Sequence, residues 1–140
     1  MSDAPSAPLH VHPVVIRMQH TDAAGVMFFA SQFELAHEAF EATMDAHGLP
    51  LSRVLTAESW GLPVVHAEGD YAAPLRLGDA VDIEVHVARV GGRSFTLRCV
   101  LRRPAGEVVG EVRTTHAAID RGAWRPIELP DVVRGVLGSR

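Results

Sequence analysis

Apolar positions recur along this chain with two different periods. From residue 29 to 47 the spacing is helical: Phe29, Phe33, Phe40 and Met44 fall near one face, and Leu35, Ala39, Ala42 and Ala46 form a second apolar stripe. Glu34, Glu38, Glu41 and Asp45 leave only a narrow acidic edge. A helix apolar over most of its girth is expected to be largely surrounded by protein. Ser31-Gln32-Phe33-Glu34 matches a capping box, which starts the regular helix at 32, with Phe28 to Ala30 as an alternative first turn. Gly48 and Pro50 mark its end.

After a loop of about a dozen residues the period changes to two. "PVVHAEGDYAAP" reads as a strand with a bulge or bend at Gly69. "AVDIEVHVARV" alternates, with Val81, Ile83, Val85 and Val87 inward and Asp82, Glu84 and His86 outward. Gly91-Gly92 makes a tight hairpin turn into "RSFTLRCVLRR", which buries Phe95, Leu97, Cys99 and Leu101. A turn at Pro104 to Glu107 leads to "VVGEVRTTHAAI", the last long strand, and "LPDVVRGVL" suggests a short C-terminal helix. Ahead of the long helix, "HVHPVVIRMQH" offers a strand with Val14, Ile16 and Met18 on one face, and its Pro13 favours an edge position or a strand start.

This order predicts an α+β fold in which an antiparallel sheet of about five strands wraps one long central helix. Residues 1–9, rich in Pro, Ser and Ala, are expected to be a loose tail, and 10–140 a single domain. The free sheet face and sheet edge call for a second copy, so a homo-oligomer is expected.

Composition narrows the function. A net charge of −4 and a pI of about 6.0 give no support to nucleic-acid binding. The single cysteine, Cys99, lies in an apolar strand and reads as a small core residue, which fits a reducing compartment. The N-terminus lacks the pattern of a signal peptide, and no stretch approaches the ~20 apolar residues of a membrane span. The expectation is a cytoplasmic protein with no membrane association.

Several chemistries fail on spacing. "HEAFE" (37–41) starts like a zinc-protease helix but has Glu41 where that motif needs its second His. The eight histidines are scattered, so no metal site is expected. No phosphate-binding glycine loop or nucleophile elbow is present. Asp22 stands apart. It precedes a small-residue turn, Ala23-Ala24-Gly25, that leads to the helix start. A helix N-terminus offers unpaired N–H groups that can hold an oxyanion. A carboxylate facing those groups across a carbonyl suits hydrolysis of a thioester, whose thiolate leaves without a strong general acid. The alternative is that Asp22 is only a turn residue.

"TDAAGVMFFASQFELAHEAFE" resembles the D-x-x-G-x-x-[WYF]-[FY] signature of the 4-hydroxybenzoyl-CoA thioesterase class of hotdog-fold proteins. "APLRLGDAVDIEVHV" resembles that class's second signature. The resemblance spans residues 12 to 120 and is nearest to the 1,4-dihydroxy-2-naphthoyl-CoA thioesterases of phylloquinone and menaquinone synthesis. It implies a hotdog fold, in dimers that pair into tetramers with active sites at subunit interfaces. It implies that Asp22 is the catalytic carboxylate, as nucleophile or as base for water. Phe29 matches the position whose backbone amide polarises the thioester carbonyl, where Tyr is frequent, and Gly25 the glycine that permits close approach. Phe28, His37 and Glu38 become candidates for the acyl pocket and Arg93 for the phosphates of coenzyme A. Trp60 is a further pocket candidate that core packing also explains. Coenzyme A is then part of the substrate, and no separate cofactor is expected. Competing readings are a 4-hydroxybenzoyl-CoA or short or general acyl-CoA thioesterase, a non-catalytic acyl-binding hotdog protein, and action on acyl-carrier protein.

Overall fold

The computed structural model describes residues 7–138. Five strands form one antiparallel sheet: β1 (His10–Val15), β3 (Val64–Tyr71), β4 (Ala80–Val90), β5 (Ser94–Arg102) and β6 (Val108–Ala117), in the order β1-β4-β5-β6-β3. The long helix α1 (Ser31–Ala46) lies against this sheet. Helix α2 (Leu51–Ala57) and a small sheet of two-residue strands, β2 (Trp60–Gly61), β7 (Ile119–Asp120) and β8 (Arg125–Pro126), pack beside it, followed by α3 (Asp131–Leu137). This is the expected wrap of a sheet around one long helix, with two short helices added.

The alternation in β4 and β5 sets the core. Ile83, Val85 and Val87 face Leu101, Cys99 and Leu97 across the ladder, and all but the half-buried Val87 are at most 1% exposed. Desolvation pushes the Cys99 thiol up to about 12, so it stays a neutral core group. The outer face of the same strands carries ion pairs instead: Glu84 with Arg102, and Glu111 with Arg98 and Arg113. Ahead of β4, Gly78 takes φ +90. The Asp79 carboxylate accepts the Arg76 N–H and pairs with Arg103, which holds its carboxyl below the usual range.

Four expectations change. Residues 1–6 of the tail lie outside the described residues, but the tail ends before residue 9, because Leu9 donates its N–H to Val85 and packs on the core. β1 stops at Val15; Ile16 still bonds to Asp79 and Gly78, and the chain then enters a short 3-10 turn that leaves Met18 exposed. The irregularity in β3 falls between Val64 and His66, not at Gly69. A Cβ at Gly69 would press on Phe33 and Gln32, and one at Gly110 would collide with Gln32 Oε1. These glycines let the first turn of α1 lie directly on the sheet. Finally, the capping box does not form. Ala30 holds the N-cap position in a near-helical conformation, and the first helical N–H groups bond to the carbonyls of Phe28, Phe29 and Ala30. At the other end Gly48, at φ +81, closes α1 as expected.

Candidate active site

The segment from His20 to Phe29 is a closed loop at one end of the large sheet. Thr21 bridges Met27, Phe28 donates its N–H to His20, and Met27 donates to Leu75. Asp22 lies near its start. Its N–H donates to Val26, its carbonyl accepts from Gly25, and its Oδ1 accepts the Ala24 N–H at 2.9 Å. This Asx turn fixes the carboxylate near the backbone while the residue stays exposed. Gly25 takes φ +80, and nothing lies within 4 Å of the place a Cβ would occupy. The glycine is needed for its left-handed backbone.

Phe29 follows directly on the loop and is 62% exposed, so it belongs to the loop rather than to the buried face of α1. Its N–H and that of Ala30 find no backbone acceptor among the described residues. These are the donors that the helix start leaves over once the 3-10 turn has used the next ones. Phe28 is half-exposed, with its ring 4.7 Å from that of Phe29. The loop thus holds a carboxylate at one end and two unused N–H groups at the other, the pair that acyl transfer needs.

Two groups that the sequence did not single out hold this arrangement. The hydroxyl of Tyr71, on edge strand β3, donates to the Phe29 carbonyl. Desolvation raises the phenol's pKa. Gln32, buried in the first turn of α1, donates Nε2 to the Asp70 carbonyl at 3.1 Å. Its Oε1 has no partner among the described residues. Together Tyr71 and Gln32 tie the Phe29 end of the loop to β3.

The remaining candidates separate. His37 lines an apolar cavity together with Phe40 and Leu62. Glu38 turns toward β1, where its carboxylate meets His12 Nε2 at 2.7 Å. Adjacent helical residues point about 100° apart, so the two side chains leave α1 in different directions. Arg93 is exposed beside Glu128 in the β4–β5 hairpin. Ser94 pairs with Ala117 there, whereas Tyr71 pairs with Gly110 at the opposite end of the sheet. Within one chain Arg93 is therefore distant from the Phe29 loop. Trp60, 9% exposed, belongs to the core.

Comparison with known proteins supports the same chemistry. Residues 16–137 match the model of the thioesterase-like superfamily. Among curated relatives, the 1,4-dihydroxy-2-naphthoyl-CoA hydrolase of Rippkaea orientalis is 36% identical over 75% of this chain and 78% of its own length. The enzyme of that name from Nostoc punctiforme is 34% identical over 84% and 79%. The crystal structure of a 1,4-dihydroxy-2-naphthoyl-CoA thioesterase from Synechocystis has the same fold, with a TM-score of 0.85 at 22% identity, covering 91% of this chain and 93% of that one.

Proposed function

Because the chain belongs to the thioesterase-like superfamily, we propose that it hydrolyses an aromatic acyl-CoA, with 1,4-dihydroxy-2-naphthoyl-CoA as the best candidate. The observation that carries this reading is the loop itself: Asp22 and the unused Phe29 N–H stand at its two ends. The relatives' names supply the acyl group.

On this reading the thioester carbonyl oxygen accepts the Phe29 N–H, and negative charge develops on that oxygen as the carbonyl carbon becomes tetrahedral. The Asp22 carboxylate either attacks the carbon, giving a mixed anhydride that water then opens, or removes a proton from the attacking water. In both routes coenzyme A leaves as the thiolate, and the products are the aryl carboxylate and free coenzyme A. The tie from Tyr71 keeps the Phe29 peptide oriented for this task.

The reading includes a homodimer. Strand β3 is a sheet edge with Val64 41%, Val65 61% and Tyr71 47% exposed. An open strand edge of this length can pair with a second copy. Antiparallel pairing about its midpoint would set Val64 beside the partner's Tyr71. Cytoplasmic placement belongs to the same reading; no helix of the described residues is long and apolar enough to cross a membrane.

The test is kcat/KM for purified protein on a panel of thioesters: naphthoyl, 4-hydroxybenzoyl, benzoyl and short alkanoyl. The bicyclic aryl thioester should rank first by at least tenfold, on the order of what pocket complementarity supplies. A flat ranking contradicts the naphthoyl assignment, and no turnover of any thioester contradicts the activity.

A further inference from the structure

Between the C-terminal half of α1, helix α2 and the small sheet lies a cavity of about 250 Å³. Phe40, Val54, Leu62 and Ile119 make its walls, and His37, Arg121 and Trp124 stand around it. An apolar cavity of about 150 Å³ is enough to take a benzene ring, so this one has room for two fused rings.

The β7–β8 turn is built to present Trp124 and Arg121 to this space. Trp124 is the one non-glycine among the described residues with positive φ, at +54. A bulky side chain is strained there by about 1–2 kcal/mol. The turn enforces it, with Trp124 N–H donating to the Asp120 carbonyl and Ala123 N–H to the Asp120 carboxylate. The indole nevertheless stays 67% exposed, so core packing does not account for the strain. The Arg121 stem runs 3.3 Å from where a Gly61 Cβ would be, and one guanidinium nitrogen donates to the Glu58 carbonyl. The other nitrogen donors form no ion pair among the described residues. His37 already has Glu41 at 3.7 Å, so Arg121 supplies the uncompensated positive charge.

We propose that this cavity binds the fused-ring aromatic part of the substrate, with Trp124 as the stacking lid and Arg121 as the donor to its ring hydroxyl oxygens. Both are then specificity-determining residues. The identity of the ligand rests on the activity proposed above. The cavity serves the other copy of the chain. Phe40 lies about eleven residues along the helix from Phe29, roughly 16 Å at the helical rise, beyond the reach of a bicyclic acyl group. Pairing of β3 with a second copy carries Leu62 and Pro63, at the cavity wall, beside the partner's Tyr71. A thioester held by one loop would thus lay its rings in the neighbouring subunit.

Two measurements on the full chain test this. Binding of 2-naphthoate is followed by tryptophan fluorescence, and kcat/KM is compared between 1,4-dihydroxy-2-naphthoyl-CoA and a short alkanoyl-CoA. The proposal expects saturable quenching that is lost in Trp124→Phe, where Trp60 is the remaining indole. It also expects Trp124→Ala and Arg121→Gln each to lower kcat/KM for the naphthoyl-CoA by about tenfold or more relative to that for the alkanoyl thioester. Quenching that survives in Trp124→Phe, or equal loss for both thioesters, overturns it. If the wild type hydrolyses no thioester, the activity fails, whereas the presence or loss of naphthoate quenching still decides the cavity.

Discussion

Around His116 every polar atom of the ring has a partner, and two aromatic rings pack against it. Its Nδ1 bonds to the Leu62 carbonyl and its Nε2 to the Thr114 hydroxyl, and its ring stacks on Phe95 at 4.9 Å, with Phe40 at 4.4 Å. Around Asp22 one carboxylate oxygen accepts a turn N–H, and the residue stands in the open. Both are ionisable groups within an otherwise small or apolar setting. The difference is that the first environment is complete and the second has unused capacity: the carboxylate, the Phe29 N–H and an unpaired strand edge beside them. Perturbed titration alone would have pointed to His116, whose pKa burial lowers to about 4. Spare hydrogen-bonding capacity points to Asp22. A depressed pKa in a satisfied core marks a structural group, and the chemistry lies where donors and acceptors await a ligand.

The comparison can be pressed hardest through pH. His116 is neutral in the folded state down to about pH 4, whereas in the unfolded chain it takes a proton near pH 6.5. Its contribution is therefore fully present above pH 6.5 and declines as pH falls toward 4, with no further loss from this group below that. The full span amounts to about 3 kcal/mol. Urea denaturation across this range should show the decline, and His116→Gln should flatten it. An unchanged slope in the variant would place the pH dependence elsewhere.

Next in size is the seat of α1 on the sheet. Gly110→Ala drives a methyl into Gln32 Oε1 and should cost about 1–3 kcal/mol in chemical denaturation. Gln32→Ala in the same chain should recover part of that loss. If the two costs simply add, the side chain and the glycine are not coupled.

The smallest effect expected is that of Tyr71→Phe, which removes one hydrogen bond to the Phe29 carbonyl. Stability should fall by about 1 kcal/mol or less. Thioester kcat should fall several-fold, with KM less affected, if the bond orients the peptide as argued.

These groups also mark how far the sequence could be read. Strands β4 and β5 were legible because Val81 to Val85 and Phe95 to Cys99 alternate cleanly between clear turns, whereas the register slip between Val87 and Arg89 left no such mark. The Gly48 stop of α1 was legible for a local reason, its left-handed conformation. Helix α2 was not, since Val54 is its one buried residue and a single anchor makes no period. Strands of two residues, such as β2, β7 and β8, have none either. At the site, Asp22, Gly25 and Phe29 are neighbours in sequence and form a motif. Tyr71 and Gln32 act across 42 and 38 residues, and only the folded sheet brings them to their partners. The link of Glu38 to His12 spans 26 residues and was likewise invisible in the sequence.

The central claim is that the open loop, rather than the closed core, performs the hydrolysis. Asp22→Asn tests it most directly, because an exposed turn carboxylate can be replaced without disturbing packing. The measurement is kcat for naphthoyl-CoA, followed by thiol release at saturating substrate, with thermal unfolding on the same samples. A drop of about 100- to 10,000-fold, with an unfolding midpoint close to that of the wild type, is the predicted result. Turnover at the wild-type rate by the folded variant would contradict it.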